Sequence, residues 1–279
     1  MKIPKRLFES GYIAIKKCKH GPLAYNINDM FIGKSLDIYG EWCEPELILL
    51  KNYVVPGDLV LDIGACIGTH AIAFSNMVGP SGFVFAFEPQ RVNYNILCTN
   101  VAINSKLNVS CVWGGASDLK GLAKVPLLDP NSPQNFGAIN IESFDAGEPI
   151  QLMPIDDLKL KKCNIIKIDV EGMETKVIDG AEDTIENHKP IIYTENNRTE
   201  GSEELLATLM EFGYKCYWHV SDYYNPKNFF KNKENIFKNL VPEVNVLALP
   251  KSEKVKNKDL LKVKNEKETW EDAIKKKRG

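Results

Sequence analysis

The stretch Val60-Leu61-Asp62-Ile63-Gly64-Ala65-Cys66-Ile67-Gly68-Thr69-His70 decides the fold. Its first half reads as a buried strand, and THAIAFSNMVG (69–79) continues it at helical spacing as far as Gly79. The turn between them holds glycines at 64 and 68, where positive φ is cheap and the missing Cβ lets a ligand come close. Amide N–H groups at the start of the helix are donors to a polar ligand. The dinucleotide fingerprint would put glycine where Cys66 stands, and no Gly-Lys-Ser/Thr follows to make a P-loop.

Outward from this turn the chain alternates. GFVFAFEP (82–89) is a second strand, QRVNYNILCTNVAIN (90–104) a helix and LNVSCVWGGAS (107–117) a third strand. NIIKIDVEG (164–172), PIIYTEN (190–196), YKCYWHV (214–220) and EVNVLALP (243–250) read as further strands. METKVIDGAEDTIENH (173–188) and SEELLATLMEFG (202–213) are read as the intervening helices. The alternation predicts an α/β fold, a Rossmann-like central sheet of seven mostly parallel strands with helices on both faces. In such sheets ligands lie beyond the carboxyl ends of the strands. Residues 55–250 form the expected catalytic domain, preceded by an N-terminal segment, 1–54, that packs on or lids the pocket and contains a helix near EPELILLKNYV. The Pro/Gly-rich stretch 113–150 breaks the pattern and is read as an excursion near the site, with strand-like pieces AKVPLL and GAINIESF.

Composition narrows the classes. The 279 residues are 44% hydrophobic and 26% charged, ordinary for a globular chain long enough to bury a core without staples. The last 29 residues hold 11 Lys+Arg against 6 Asp+Glu, which leaves 24 against 31 in the first 250. An acidic body argues against a nucleic-acid partner, and the basic tail 251–279 is read as a solvated or partly helical extension. Seven cysteines without a C-x-x-C pair suggest reduced thiols, and no secretory signal or membrane-length apolar run is visible. A cytoplasmic protein is expected, with a homo-oligomer left open.

Acidic residues then recur at strand ends. Asp62 would repel a phosphate and suits a ligand with an ammonium group, such as the methionine end of S-adenosylmethionine (SAM); the plain alternative is a capping Asp. Glu88, before Pro89 and 20 residues beyond Gly68, can accept both hydroxyls of a ribose. Ser117 and Asp118 are candidates for the adenine. Alternation puts Lys167, Asp169 and Glu171 on one side of a strand, and carboxylates so placed need a partner. General-base work, a divalent metal or a charged cofactor could each supply it. Glu195 ends the next strand in the same way.

LDIGACIGTHA, FEP, the spacing to Ile155-Asp156-Asp157-Leu158, KIDVEGME and the acidic end of PIIYTEN together resemble the FkbM-type SAM-dependent methyltransferases. Gly40-Glu41-Trp42-Cys43-Glu44 and HVSDYYNPKNFFKNKENIF are similar to the sugar-modifying members, and the resemblance spans roughly residues 35 to 250. It implies O-methyl transfer to a hydroxyl of a sugar in a glycan or glycoconjugate. By position, Asp62, Gly64, Ala65, Gly68 and Thr69 would hold the methionine part and Glu88 the ribose. Asp169 would sit beside the sulfonium, and Glu41 or Glu44 would close the pocket.

The resemblance fixes no base, so Asp169, Glu171, Glu195 and His219 stand as catalytic candidates. A magnesium or manganese ion bridging Asp169 and Glu195 is the alternative activator. Tyr223, Asn225 and Asn228 are read as an acceptor lip, with Asn135 and Phe136 on the opposite wall. A nicotinamide-dependent oxidoreductase or a non-catalytic nucleoside-binding module on the same fold are the competing readings.

Overall fold

The computed structural model describes residues 4–138 and 147–278. Near the N-terminus β1 (Phe8–Ser10), β2 (Ile13–Cys18) and β3 (Gly21–Asn26) pair antiparallel in sequence order. Along β2 every second residue is buried, the pattern of a sheet with one face on a core. α1 (Ile32–Tyr39) ends at Gly40, which takes a left-handed φ of 70° and returns its N–H to Leu36. α2 (Glu44–Leu50) follows it directly.

Then come β4 (Leu59–Ile63), α3 (Thr69–Val78), β5 (Phe83–Glu88), α4 (Arg91–Ile103) and β6 (Val109–Trp113). β4 is buried at every position, as a strand covered on both faces must be. Gln90 caps α4, its side-chain oxygen accepting the amides of Val92 and Asn93. The excursion is ordered where described. β7 (Gly115–Ala116) and β8 (Gly121–Val125) flank β9 (Glu148–Met153) in a small second sheet. AKVPLL supplies part of β8, while most of GAINIESF lies outside the described residues.

Beyond it run β10 (Ile165–Ile168), α5 (Glu174–Asp179), α6 (Glu182–His188), β11 (Ile191–Glu195) and α7 (Ser202–Glu211). The single helix read over 173–188 is two. Asp156 explains the break, because its carboxylate accepts the amides of Asp183 (2.9 Å) and Thr184 (2.8 Å) and starts α6 afresh. Gly180 sits in the joint with its Cα against the Ser117 carbonyl, where a Cβ would come within 2.0 Å.

β12 (Lys215–Ser221), β13 (Glu243–Leu249), β14 (Leu261–Lys262) and α8 (Trp270–Arg278) complete the chain. The main sheet runs β14-β12-β13-β11-β10-β4-β5-β6, with β4, β5, β6, β10 and β11 parallel and the other three antiparallel to their neighbours. It has eight strands where seven were expected, since the basic tail adds β14 to the β12 edge. Val263 and Ala273 of that tail are buried, so its helix is packed as well as charged. Two apolar clusters lie on the sheet, and a third joins the N-terminal sheet to α1 and α4. The strand order leaves β4 in both directions, through β5 to β6 and through β10 to β11, which opens a crevice at the carboxyl ends of β4 and β10.

Candidate active site

The glycine turn after β4 forms the floor of that crevice. Gly64 (φ +80°) lies against the next strand's turn, where a Cβ would fall 1.8 Å from the Asp169 carbonyl oxygen. At Gly68 (φ +85°) a Cβ would meet Leu97 at 2.5 Å. Both glycines are therefore demanded by chain packing, and the sequence reading that they make room for a ligand misses this. Cys66 between them also takes a positive φ, and its amide donates to Glu88 Oε2 at 2.9 Å.

Glu88 is the better marked ligand group. Its other oxygen accepts the Gln90 amide at 2.8 Å, so both oxygens are fixed by backbone while keeping lone pairs free. The side chain is buried at the edge of a cavity, and burial lifts its pKa to about 7 against the pull of its hydrogen bonds. Gly64, Ala65, Thr69, Pro89, Gly115, Ala116, Asn135 and Phe136 line the same cavity. Thus the glycine turn, the ribose candidate and one proposed acceptor wall meet in one space.

The far end of the cavity is acidic. Lys167 is 3% exposed, and its Nζ reaches Gly64 O (3.2 Å), Asp169 Oδ2 (3.2 Å) and Asp62 Oδ1 (3.5 Å). Burial opposes its charge, but Asp169, Asp62 and Glu46 outweigh that and raise its pKa. Asp62 is fully buried, with Lys167 as its charge partner and neither carboxylate oxygen hydrogen-bonded among the described residues. Asp169, Glu171 and Glu195 converge, each offering a ligand atom within 4.8 Å of the others. Glu171 holds a left-handed φ of 59° and pairs with the Arg198 guanidinium. Its pKa is lifted to about 7, first by burial and then by Asp169. Glu195 Oε1 accepts from Asn197 at 2.6 Å, and burial followed by Asp169 and Glu171 raises its pKa well above the usual range. Cys43, Cys66 and Glu171, three cavity-lining residues other than glycine, share positive φ; such backbone strain concentrates at functional sites.

Several expected residues lie elsewhere. His219 does not line the cavity; its Nδ1 sits 2.8 Å from the Tyr193 hydroxyl, and burial lowers its pKa. Ser117 and Asp118 bond to each other just past Ala116. Glu44 is held by Lys19 and His20, both at 2.9 Å. Asn225 donates to Glu41 Oε1 (2.7 Å) and Asn228 knots its own loop at Asn232, while Tyr223 does line the cavity.

Sequence reasoning also missed lining residues. Glu46 lies 3.2 Å from His70 Nε2 and accepts from Asn245 at 3.1 Å. Its signal was a carboxylate inside the apolar run EPELILL. Glu243 and Asn245 arrive because β13 is antiparallel, which sets Asn245 opposite Glu195. No spacing rule along the chain could have shown that pairing. Burial, then Glu46 and Asp169, lift the pKa of Glu243 to about 8 against a hydrogen bond from Tyr223. Trp42 and Phe31 supply rings from the N-terminal segment, with Trp42 5.4 Å from Tyr223 and Phe237 packed beneath both.

The arrangement can hold a nucleoside at Glu88, a cation beside the carboxylates, and a polar ring-shaped molecule against the contacting pair Trp42 and Tyr223. Known proteins bear on which of these it does. The hexuronic acid methyltransferase AglP of Haloferax volcanii is 26% identical over 155 residues, covering 54% of this chain and 60% of AglP. The alignment thus takes in less than two thirds of that curated relative. Among solved structures, methyltransferase FkbM from Methylobacillus flagellatus aligns at 18% identity over 68% of this chain and 43% of its own, TM-score 0.47. Fibrillarin from Aeropyrum pernix, solved with bound SAM, aligns at 14% over 89% of this chain and 99% of its own, TM-score 0.46. The fold assignment itself rests on the strand order. The methyltransferase FkbM domain matches residues 62–216, from the Asp62 turn to the start of β12, and the chain belongs to that family.

Proposed function

We propose that the protein is a SAM-dependent O-methyltransferase whose acceptor is a hydroxyl of a sugar in a glycan or glycoconjugate. The observation that carries the reading is Glu88, clamped by two backbone amides and turned into the cavity above the glycine turn. Family membership and the sugar-directed relative support the rest.

SAM, when bound, supplies an activated methyl group. This chain's residues then have four tasks. Glu88 would accept the ribose hydroxyls, and the turn at Gly64, Ala65 and Thr69 would receive the methionine part, with Asp62 and Gly68 fixing the turn from behind. Asp169 would offer its negative charge to the sulfonium. The contacting rings of Trp42 and Tyr223 form one wall for the acceptor and Glu195, Glu171 and Asn197 take its hydroxyls, so that most of the rate comes from holding the reacting atoms in line. Glu243 takes the acceptor's proton, because a buried carboxyl lifted to about 8 is a base matched to neutral pH. A magnesium or manganese ion at Asp169 and Glu195 belongs to the finer part of this proposal.

Seven free cysteines fit a reducing, cytoplasmic setting, and no described helix is long and apolar enough to cross a membrane. Calorimetric titration with SAM should show binding that Glu88→Ala weakens at least about tenfold. Glu243→Gln should keep SAM affinity and lose methyl transfer from labelled SAM to sugar acceptors. Binding of NAD in place of SAM would sink the proposal in favour of an oxidoreductase.

A further inference from the structure

We infer that Asp169, Glu171 and Glu195 form a site for one hard divalent cation of the magnesium, manganese and calcium class. Three observations converge. The ligand atoms lie within 4.8 Å of one another, and metal–oxygen distances of roughly 2.0–2.6 Å put opposite ligands about 4–5 Å apart. Glu195 is 7% exposed, and its Oε2 is buried without any hydrogen-bond partner among the described residues although Glu195 lines the cavity. A buried carboxylate oxygen left bare is costly unless something binds it.

Charge makes the third point. Around this cluster Asp62, Asp169, Glu171 and Glu195 face Lys167 and Arg198, four carboxylates against two cations. A divalent ion fits that excess of acidic groups over cations. The neighbouring acids are otherwise engaged: Glu46 beside His70, Glu243 with Tyr223, and Glu174 on the amides of Val170 and Gly172. The donor set is oxygen alone, which selects hard cations over zinc. Two parallel neighbouring strands deliver it, since Asp169 and Glu171 follow β10 and Glu195 ends β11. Three protein ligands leave coordination positions for a pair of adjacent hydroxyls, the chelating group of a sugar. The ion would fix the acceptor's orientation and leave the proton to Glu243.

The site rests on the geometry and is tested without turnover. Mn²⁺ is titrated into the full chain without SAM and its free signal followed by electron paramagnetic resonance. One site with a Kd of about 10⁻⁵–10⁻³ M is expected, displaced by Mg²⁺ or Ca²⁺. Glu195→Gln should weaken it at least about tenfold, with an unchanged circular dichroism spectrum. Glu171→Gln, at a more accessible position, gives the same readout if the first variant misfolds. No binding at about 10 mM, well above the weak end of that range, or affinity unaltered in both variants, overturns the inference. SAM titration of the same samples keeps that failure distinct from failure of the methyltransferase proposal.

Discussion

Lys167 shows how much one side chain carries. Among the described residues it alone pairs with Asp62, whose carboxylate is fully buried and makes no hydrogen bond with any of them. Removing one member of a buried pair leaves the other uncompensated, at a cost of about 3–5 kcal/mol. Lys167→Met should lower unfolding stability in urea by that amount, and adding Asp62→Asn should restore much of it. Glu88 makes a prediction in pH. Ribose hydroxyls donate to its ionised form, so binding should draw its pKa down from about 7 and release a proton below that value. SAM affinity should therefore rise as pH increases to about 7 and then level off; titrations in buffers of different ionisation heat, with Glu88→Gln losing the trend, check this. Lys167, Asp169, Glu171, Glu195 and Glu88 were all visible in the sequence, because carboxylates after apolar strands have few structural reasons to be there. Glu243 was not, since it begins its strand and reaches the site by reversal of direction.

At the scale of elements, the strands and most helices were legible because period and length agree with burial. The joint between α5 and α6 was hidden, for it depends on a cap in which Asp156, 27 residues away, accepts the Asp183 amide. The side chain by which the N-terminal segment docks was equally hidden. Asn100, fully buried on α4, accepts the Ala24 amide (2.6 Å) and donates to the carbonyls of Ala24 (3.0 Å) and Ile67 (2.7 Å). One side chain thus ties β3 to the glycine turn. Asn100→Ala leaves buried backbone groups unpaired and should cost about 2–3 kcal/mol. Hydrogen exchange should show β2 and β3 losing protection before the main sheet does; simultaneous loss across both would contradict this role.

For the whole molecule, the doubly covered sheet and the region of its site followed from the alternation alone, whereas the cavity's walls did not. They come from stretches far apart in the chain, and loops set by tertiary contact leave no period to read. The rings show it best: Phe31 and Trp42 of the wall come from the N-terminal segment and Tyr223 from the loop between β12 and β13, with Tyr39, Tyr224 and Phe237 packed against one another behind them. Tyr39 also donates to the Glu234 carbonyl, and Glu41 receives Asn225 and the Phe229 amide. Neither stretch keeps its shape without the other. Under the proposed function, acceptor preference would be a two-part inheritance: a graft of the 222–240 loop from a relative into this scaffold would transfer its selectivity only in company with that relative's counterpart of residues 31–42.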